Sequence, residues 1–441
     1  MDSREPGRTS CFAASRRQTQ GQNAADNGVK GFGLTMVISA ADAEGARVLP
    51  RSLAGATVMQ IVPALNDEPM VRETLGIAHA LVHAGTRAIV AGAAGSLVDH
   101  LKTFGGEWLP FSNASFSPRK LRRNAAALAA FIAQERVDIV HAKSPGAAWS
   151  AVLATGQTAA HLVTDLPDVR PKYAWLSSLY VGSLARGNRV ISRSMFNAQP
   201  MIERHHIPVE NIRIVPRGID TKMFDAGAVH PDRVAALRQH WGIPSGVRIV
   251  LTPGRVAPWN GQITLVDAAR VLMQSHMRGV TFVLAGDDRR HGRYVRALRK
   301  HAQAEGVESL FRIVGPCADM AAAYAAADLV VAPNVSPPLY GRVVAEAQAM
   351  ARPVVTTAIG ALPENVIAPP RMPEDLRTGW VVKSGDPIEL ARAISSVLAL
   401  DAVAYRSLAA RARQFAEYMF SPRRIAAATL DVYSSLLEAE D

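Results

Sequence analysis

Cysteine is nearly absent from this sequence, which has only Cys11 and Cys317 among its 441 residues. Two cysteines so far apart, with no C-x-x-C motif, argue against a disulfide framework and against a thiolate metal site. Long apolar runs are missing too, because no stretch approaches the roughly 18 residues that span a bilayer. The apolar segment 31–41 is interrupted by Ser and Thr and is soon followed by acidic residues, unlike a signal peptide. We therefore expect a cytoplasmic protein.

Acidic and aromatic residues are also scarce. The 38 Asp and Glu residues are outnumbered by 49 Lys and Arg residues, which gives a net charge of +11. Such a surface attracts polyanions, namely nucleic acids, anionic lipids or phosphorylated ligands. Aromatic residues make up 6% of the chain and no nucleic-acid-binding motif is recognisable, so we expect no nucleic-acid partner. The basic run 119–123 has two interpretations: a solvated helix face, or a face that contacts an anionic membrane peripherally.

The hydrophobic pattern divides the chain into segments. Residues 1–55 are rich in Ser, Arg, Gln, Gly and Ala without an apolar period, which predicts a disordered tail. From residue 57 onward, short β-branched runs alternate with amphipathic stretches, as in βαβ units. This pattern predicts an α/β fold with two Rossmann-like domains of parallel strands, 56–225 and 244–420, joined by a hinge at 226–243. A final amphipathic helix is expected within 421–441.

Thirteen strands are predicted from the short apolar runs. They are 58–62, 88–91, 108–111, 137–140, 162–164, 189–192 and 212–215 in the first domain, and 248–251, 281–285, 311–314, 329–332, 353–357 and 379–382 in the second. Ligands of open parallel sheets bind at the carboxyl ends of the strands, so the loops after these runs are the candidate site.

Glycine and arginine follow several strands of the second domain. The relevant sequences are Gly254-Arg255, Gly286-Asp287 and Gly341-Arg342, the last opening a helix that contains Glu346. Glycine lets backbone N–H groups approach a phosphate, and a helix N-terminus adds about half a positive charge. Arginine presents a fork of donors that suits a diphosphate. The acidic pair Asp287-Asp288 offers too few ligands for a metal, and we predict no metal site.

The order of these motifs resembles the retaining glycosyltransferases of family 4, which have the GT-B architecture. The resemblance rests on Gly254-Arg255 with Gly261 downstream, Gly286-Asp287, Gly315, the run from Gly341 to Met350, Arg352-Pro353-Val354-Val355, and Pro363-Glu364. In the first domain, the runs 138–144 and 215–220, followed by Phe224, are similar to the same family. The similarity covers about residues 57–437 and implies two parallel sheets that face each other across a cleft.

The resemblance implies a nucleotide-diphosphate sugar as donor, a glycan or lipid-linked acceptor, and no cofactor. The reaction would be hexosyl transfer with retention, in cell-envelope, exopolysaccharide or lipopolysaccharide synthesis. By position, Arg255 would hold the donor diphosphate, the amides of 341–343 would cap a phosphate, and Glu346 would bind the ribose; Arg255 and Glu346 are thus the candidate catalytic residues. The implied donor-binding set is Gly254, Arg255, Gly286, Asp287, Gly315, Gly341, Arg342, Val343 and Glu346. The last helix would return to the first domain.

Four positions depart from the family pattern. Glu68-Pro69 stands where the family has a glycine pair, and Pro167 stands where it has a sugar-contacting histidine. Asn260 replaces a lysine, and Pro338 replaces the first glutamate of a Glu-x7-Glu pair that ends at Glu346. These departures support a second hypothesis, in which the chain is a noncatalytic relative that acts as a binding or scaffold partner.

Other charged residues leave alternatives open. Compensating positive charge at the site would come from three candidates: Lys143, Arg217 and Arg342. His141, at the end of a predicted strand, is interpreted as a hydrogen-bonded structural residue, with a general base as the alternative.

Overall fold

A computed structural model describes residues 53–111, 117–166 and 182–438. Within these ranges the chain forms two parallel sheets, each covered by helices on both faces, which confirms the predicted α/β fold with two Rossmann-like halves. No helix in these ranges is both long and apolar enough to cross a membrane.

The first half contains a seven-stranded sheet with the order β3-β2-β1-β4-β5-β6-β7. Its strands are β1 (Thr57–Ala64), β2 (Arg87–Ala93), β3 (Glu107–Pro110), β4 (Ile139–Ala142), β5 (His161–Asp165), β6 (Arg189–Ser192) and β7 (Ile212–Ile214). Its helices are α1 (Pro69–His83), α2 (Val98–Thr103), α3 (Pro118–Glu135), α4 (Pro145–Thr155) and α5 (Met195–His205).

Strand β1 shows why the first sheet forms. Val58 and Val62 pack into the apolar cluster on one face, while Met59 and Ile61 pack into the cluster on the other. A strand that is buried on both faces has a nearly continuous apolar sequence, as expected for the centre of a parallel sheet.

The second half contains a six-stranded sheet with the order β10-β9-β8-β11-β12-β13. Its strands are β8 (Arg248–Pro253), β9 (Val280–Ala285), β10 (Phe311–Gly315), β11 (Leu329–Ala332), β12 (Val354–Thr357) and β13 (Gly379–Val382). Its helices are α6 (Pro231–His240), α7 (Gln262–Gln274), α8 (Gly292–Ala304), α9 (Met320–Ala326), α10 (Arg342–Ala349), α11 (Pro387–Leu398) and α12 (Ala402–Phe420).

Two predicted boundaries change in the structure. Leu53 is fully buried among core residues of the first sheet, and its carbonyl accepts a hydrogen bond from Thr86. The tail predicted over 1–55 is therefore too long at 53–55, and the rest of it, 1–52, lies outside the described residues. Within the predicted hinge, 226–243, α6 and the buried side chains of Val229 and Trp241 pack on the second half.

The last helix, α13 (Pro422–Leu437), lies against the first half. It packs on α1, and Leu430 and Tyr433 join the core of the first sheet. The preceding helix α12 packs instead on α10 in the second half. The chain thus crosses between the halves at Ser421, whose hydroxyl accepts a hydrogen bond from the amide of Arg424 and caps α13.

Candidate functional site

Three loops meet at the carboxyl ends of β8, β9 and β10. The Gly254 amide donates to Ala285 O at 2.9 Å, and the Gly286 amide donates to Gly315 O at 2.8 Å. The packing is so close that a Cβ on Gly286 would lie 2.0 Å from Gly254 O. The Val256 amide also donates to the carbonyl of Asp287, at 3.1 Å. The structure therefore brings together five of the predicted donor-binding residues: Gly254, Arg255, Gly286, Asp287 and Gly315.

Arg255 has an exposed side chain on a firmly held backbone. Its carbonyl accepts hydrogen bonds from Asn260 Nδ2 at 2.8 Å and from Gln262 Nε2 at 2.9 Å. The preceding Gly254 has φ +116°, a conformation that side chains rarely adopt. The glycine thus sets the direction of the loop, and the two amides fix the position from which the Arg255 guanidinium extends.

Asn260 has a structural role in this site. Besides binding Arg255 O, its Oδ1 accepts from Asn334 Nδ2 at 3.0 Å, which links the loop after β8 to the loop after β11. Next to it, a Cβ on Gly261 would lie 1.8 Å from Pro333 O, so the two loops are in contact there as well. The residue that replaces the family lysine therefore supplies hydrogen bonds between loops rather than a positive charge.

The N-terminus of α10 provides backbone donors. The first bond within the helix runs from the Ala345 amide to Gly341 O, at 3.0 Å. The amides of 341–344 consequently have no acceptor within the helix, and no side chain among the described residues caps this end. A Cβ on Gly341 would lie 2.6 Å from Asn365 Nδ2, so only glycine fits this position without displacing its neighbour.

Glu346 is a buried carboxylate on α10, 6% exposed. It accepts from Tyr324 Oη at 2.9 Å and from Arg342 Nε at 2.6 Å. Burial, together with the neighbouring Glu346, raises the pKa of Tyr324 well above its ordinary value, so that hydroxyl remains a donor. Because a carboxylate has about four acceptor positions, roughly two remain for another ligand. The neighbouring Val343 packs partly on the core.

Arg342 and Lys143, two of the candidates for compensating charge, are already paired. Arg342 forms an ion pair with Glu346 through its Nε atom. Lys143 is buried, with Nζ 3.6 Å from Glu73 Oε1 and 3.7 Å from Asp165 Oδ2. Lys143 therefore balances carboxylates in the first half instead of extending toward a ligand.

The third candidate, Arg217, lies beside the second half. Its guanidinium carbon is 5.4 Å from the centre of the Tyr340 ring, a cation–π arrangement between the two halves.

His141 is fully buried and hydrogen-bonded at both ring nitrogens. Nε2 lies 2.8 Å from Asp165 Oδ1, and Nδ1 lies 2.6 Å from Tyr433 Oη. Burial lowers the pKa of His141, so the ring is neutral and has one N–H. An ionised Asp165 can only accept, which assigns the proton to Nε2 and makes Tyr433 the donor to Nδ1. This geometry favours the structural interpretation of His141.

The remaining departures are at helix starts and loops. Glu68 is exposed at the N-cap position of α1, where Pro69 begins the helix and removes one amide. The carbonyl of Pro338 accepts a hydrogen bond from the Ala361 amide at 3.0 Å, so this residue has a role in loop packing. Pro167 lies outside the described residues.

A group of possible metal ligands lies on α7, on α8 and at the residue that follows α8. Asp267, His301 and Glu305 place one ligand atom each within 4.8 Å of one another. His301 Nε2 and Asp267 Oδ1 are only 2.6 Å apart, however, and Arg270 pairs with Glu305 at 2.9 Å. These contacts are those of a hydrogen bond and an ion pair.

Sequence reasoning missed two residues of the site, Tyr324 and Asn334. Tyr324 lies in an alanine-rich helix and Asn334 in a loop, and neither position has a pattern that points to Glu346 or Asn260.

Comparisons with known proteins identify the family. Residues 71–223 match the sequence profile described as Glycosyltransferase Family 4, and residues 247–399 match the profile described as Glycosyl transferases group 1. A D-inositol 3-phosphate glycosyltransferase of Salinispora arenicola is 30% identical over 263 residues, which is 58% of this chain and 56% of that protein. This chain thus spans little more than half the length of that relative.

Solved structures agree over most of the chain. A glycosyltransferase from Rickettsia africae has a TM-score of 0.71 and 26% identity, covering 87% of this chain and 99% of that one. Anabaena HepE, solved with UDP and glucose, has a TM-score of 0.63 and 22% identity, covering 86% and 100%. The fold and the sequence profiles of both halves agree: the chain belongs to the family 4 glycosyltransferases, which have the GT-B fold.

Proposed function

We propose that this protein transfers a hexosyl unit from a nucleotide-diphosphate sugar to a glycan or lipid-linked acceptor, with retention at the anomeric carbon. One observation carries the proposal: the loops after β8, β9 and β10, which are hydrogen-bonded to one another, hold Arg255 at the carboxyl edge of the second sheet. The N-terminus of α10, which has no side-chain cap, lies at the same edge. Fixed donors at one edge of an open parallel sheet suit a diphosphate.

The chemistry follows from the charge that develops. When the bond between the anomeric carbon and the diphosphate oxygen breaks, negative charge builds up on the leaving diphosphate. Arg255 and the amides of 341–343 would stabilise this charge in the transition state more than in the ground state. The acceptor hydroxyl would form the new glycosidic bond on the same face, and its proton would pass to the leaving diphosphate, so no side-chain nucleophile is needed.

Glu346 would orient the nucleotide. Its carboxylate is buried and held by Tyr324, and its remaining acceptor positions suit the two hydroxyls of a ribose. The nucleobase of the donor is identified by binding tests. Uracil nucleotides are tested first, because Anabaena HepE is solved with UDP and with UDP-glucose. Backbone groups near Gly286 and Gly315 would select the base.

The acceptor and the cellular setting are also proposals. The exposed basic residues at the start of α3, within 119–123, suit peripheral contact with an anionic membrane and hence a lipid-linked acceptor. In this proposal the enzyme acts in the cytoplasm, at the inner face of the membrane, in envelope or exopolysaccharide synthesis. D-inositol 3-phosphate, named for the Salinispora relative, adds a phosphorylated polyol as a further acceptor to test.

The second candidate function is a scaffold without turnover. Asn260 favours this function, because it hydrogen-bonds to neighbouring loops and has no positive charge that could bind a phosphate. Lys143 favours it too, because its charge is paired with carboxylates.

A thermal-shift screen with UDP, GDP, ADP and their sugar conjugates, followed by assay of diphosphate release, tests both functions. A ligand at 100 times its Kd stabilises the native state by about 2.7 kcal/mol. We expect a shift with one nucleotide, release of its diphosphate, and loss of both in Arg255→Ala but not in the exposed control Arg406→Ala. Binding without release would favour the scaffold, and no shift with any nucleotide would contradict the donor site.

A further inference from the structure

Glu364 belongs to a motif that has no role in the donor chemistry described above. It lies in a 3-10 turn, Leu362–Asn365, of the second half. Its two carboxylate oxygens accept hydrogen bonds from the amides of Met195 and Phe196, each at 2.8 Å. These amides begin α5 in the first half. A carboxylate from one half of the molecule therefore caps a helix of the other.

This cap uses a partly buried carboxyl group. Amides and dipole at a helix N-terminus stabilise a carboxylate, and the two hydrogen bonds lower the pKa of Glu364. Burial outweighs them, so that the pKa of Glu364 lies above its ordinary value. Because Glu364 and the two amides belong to different halves, the geometry of this cap exists only while the two halves are in place.

A second contact joins the halves one residue before α5. Ser194, 2% exposed, donates from Oγ to Leu339 O at 2.8 Å. The same hydroxyl accepts from the Asn197 amide at 3.1 Å, which is an ordinary N-cap. The neighbouring residue Tyr340 meets Arg217 of the first half. Two successive residues that precede Gly341 are thus contacted from the first half.

The same segment is supported from behind by the turn that bears Glu364. Pro338 O accepts from the Ala361 amide at 3.0 Å, and Gly341 is in close contact with Asn365. Asn365 is in turn fixed, since its carbonyl accepts from Gln348 Nε2 at 2.7 Å. Residues 338–341 are therefore enclosed between the first half and the Leu362–Asn365 turn.

We propose that Glu364 and Ser194 are positioning residues, which hold segment 338–341 so that the amides at the start of α10 present a fixed anion site. The first half thereby completes a site formed by residues of the second half. Identification of the anion as a nucleotide diphosphate rests on the proposed function, whereas the ordering of segment 338–341 does not.

The experiment compares Glu364→Ala and Ser194→Ala with two matched controls. Asp401→Ala removes a carboxylate that accepts hydrogen bonds from two amides, each at 2.8 Å, as Glu364 does. Asp401 caps α12, however, and its contacts stay within one half. Ser144→Ala removes a serine N-cap of the same kind, which accepts from the Ala147 amide and lies within the first half. Hydrogen exchange is measured on the full chain without ligand, and Kd values for UDP, GDP and ADP are measured by calorimetry.

We expect the amides of Ala345 and Ala361, which donate to Gly341 O and Pro338 O, to exchange faster in Glu364→Ala and Ser194→Ala and to be unchanged in both controls. The nucleotide Kd should rise about tenfold, the equivalent of one hydrogen bond to a charged group. If turnover is found, KM for the donor should rise more than kcat falls. Faster exchange confined to 195–200, with the amides of Ala345 and Ala361 unchanged, would overturn the proposal. If no nucleotide binds the unmutated protein, the proposed function fails, while the exchange result still decides the positioning role.

Discussion

Gly286→Ala is the most direct test of the close packing between the loop after β9 and the loop after β8. A Cβ at this position would lie 2.0 Å from Gly254 O and 3.0 Å from the Arg255 amide nitrogen. Real Cβ atoms essentially never come within 3.0 Å of such atoms, so the loop with Arg255 must move by about 1 Å. Overpacking of this kind costs about 1–3 kcal/mol. If the second half unfolds as a unit, this corresponds to a fall in Tm of about 2–12 °C.

The same displacement should affect ligand binding more than stability. A misplacement of about 1 Å can cost about 100-fold where groups must be aligned. We expect Gly286→Ala to lose nucleotide-dependent protection in the thermal-shift assay while its circular dichroism remains that of a folded protein. Gly76→Ala is the control, because Gly76 is exposed on α1 and a methyl group added there would meet no atom within 4 Å. Alanine at this position should stabilise the helix by about 0.5–1 kcal/mol. An unchanged Tm and an unchanged nucleotide Kd in Gly286→Ala would refute the argument.

Three further changes test other parts of the structure. Tyr324→Phe removes a donor to the buried Glu346, and urea unfolding should show a loss of about 1.5–3 kcal/mol; a loss near zero would contradict that bond. Leu53→Ala should lower the free energy of unfolding by about 2–5 kcal/mol in the same assay, because Leu53 is fully buried. An unchanged free energy would mean that Leu53 belongs to the predicted tail and not to the core. Lys143→Met should cost about 3–5 kcal/mol at pH 7, since it leaves buried carboxylates less compensated. Burial alone would raise the pKa of Asp165, but Lys143 and other neighbours hold it below its ordinary 3.8. The stabilisation from these ion pairs is therefore lost, and the difference between the two proteins should shrink, as the pH falls below 3.8 toward the lower pKa of the folded protein. A constant difference would contradict the ion pairs.

The strands were predictable because parallel sheets are buried on both faces. Short β-branched runs such as 281–285, alternating with longer amphipathic stretches, indicate buried strands, and the observed strand β9 begins one residue earlier, at Val280. Leu53 was missed because a single buried leucine at the edge of a polar stretch produces no periodicity. Burial there depends on Thr86 and the core of the first sheet, which are distant in sequence.

The sequence predicted which residue types form the candidate site, but it predicted only part of their hydrogen-bond and ion-pair partners. The glycines could be placed at strand ends from the sequence, and the structure brings Gly254, Gly286 and Gly315 together. Arg342, four residues before Glu346 on the same helix, has the spacing of a side-chain pair. Tyr324 and the carboxylates beside Lys143 come from other elements, and the spacing of residues along the chain contains no information about those pairs. Glu364 was visible as part of a motif, but its role as a helix cap requires the contact between halves.

The distribution of positive charge links these observations to the chemistry. In the proposed reaction the leaving diphosphate needs compensating charge, yet Lys143 is paired with the carboxylates of Glu73 and Asp165, and Arg342 is paired with Glu346. The net charge of the chain, +11, therefore says little about the site, because most of the cations lie elsewhere. Arg255 and the amides at the start of α10 are the donors that this proposal assigns to the diphosphate, and amides carry only partial charge. Arg255→Ala should consequently reduce turnover more than removal of one of several redundant cations would, and the loss should resemble that for a single transition-state donor, about 100- to 1000-fold.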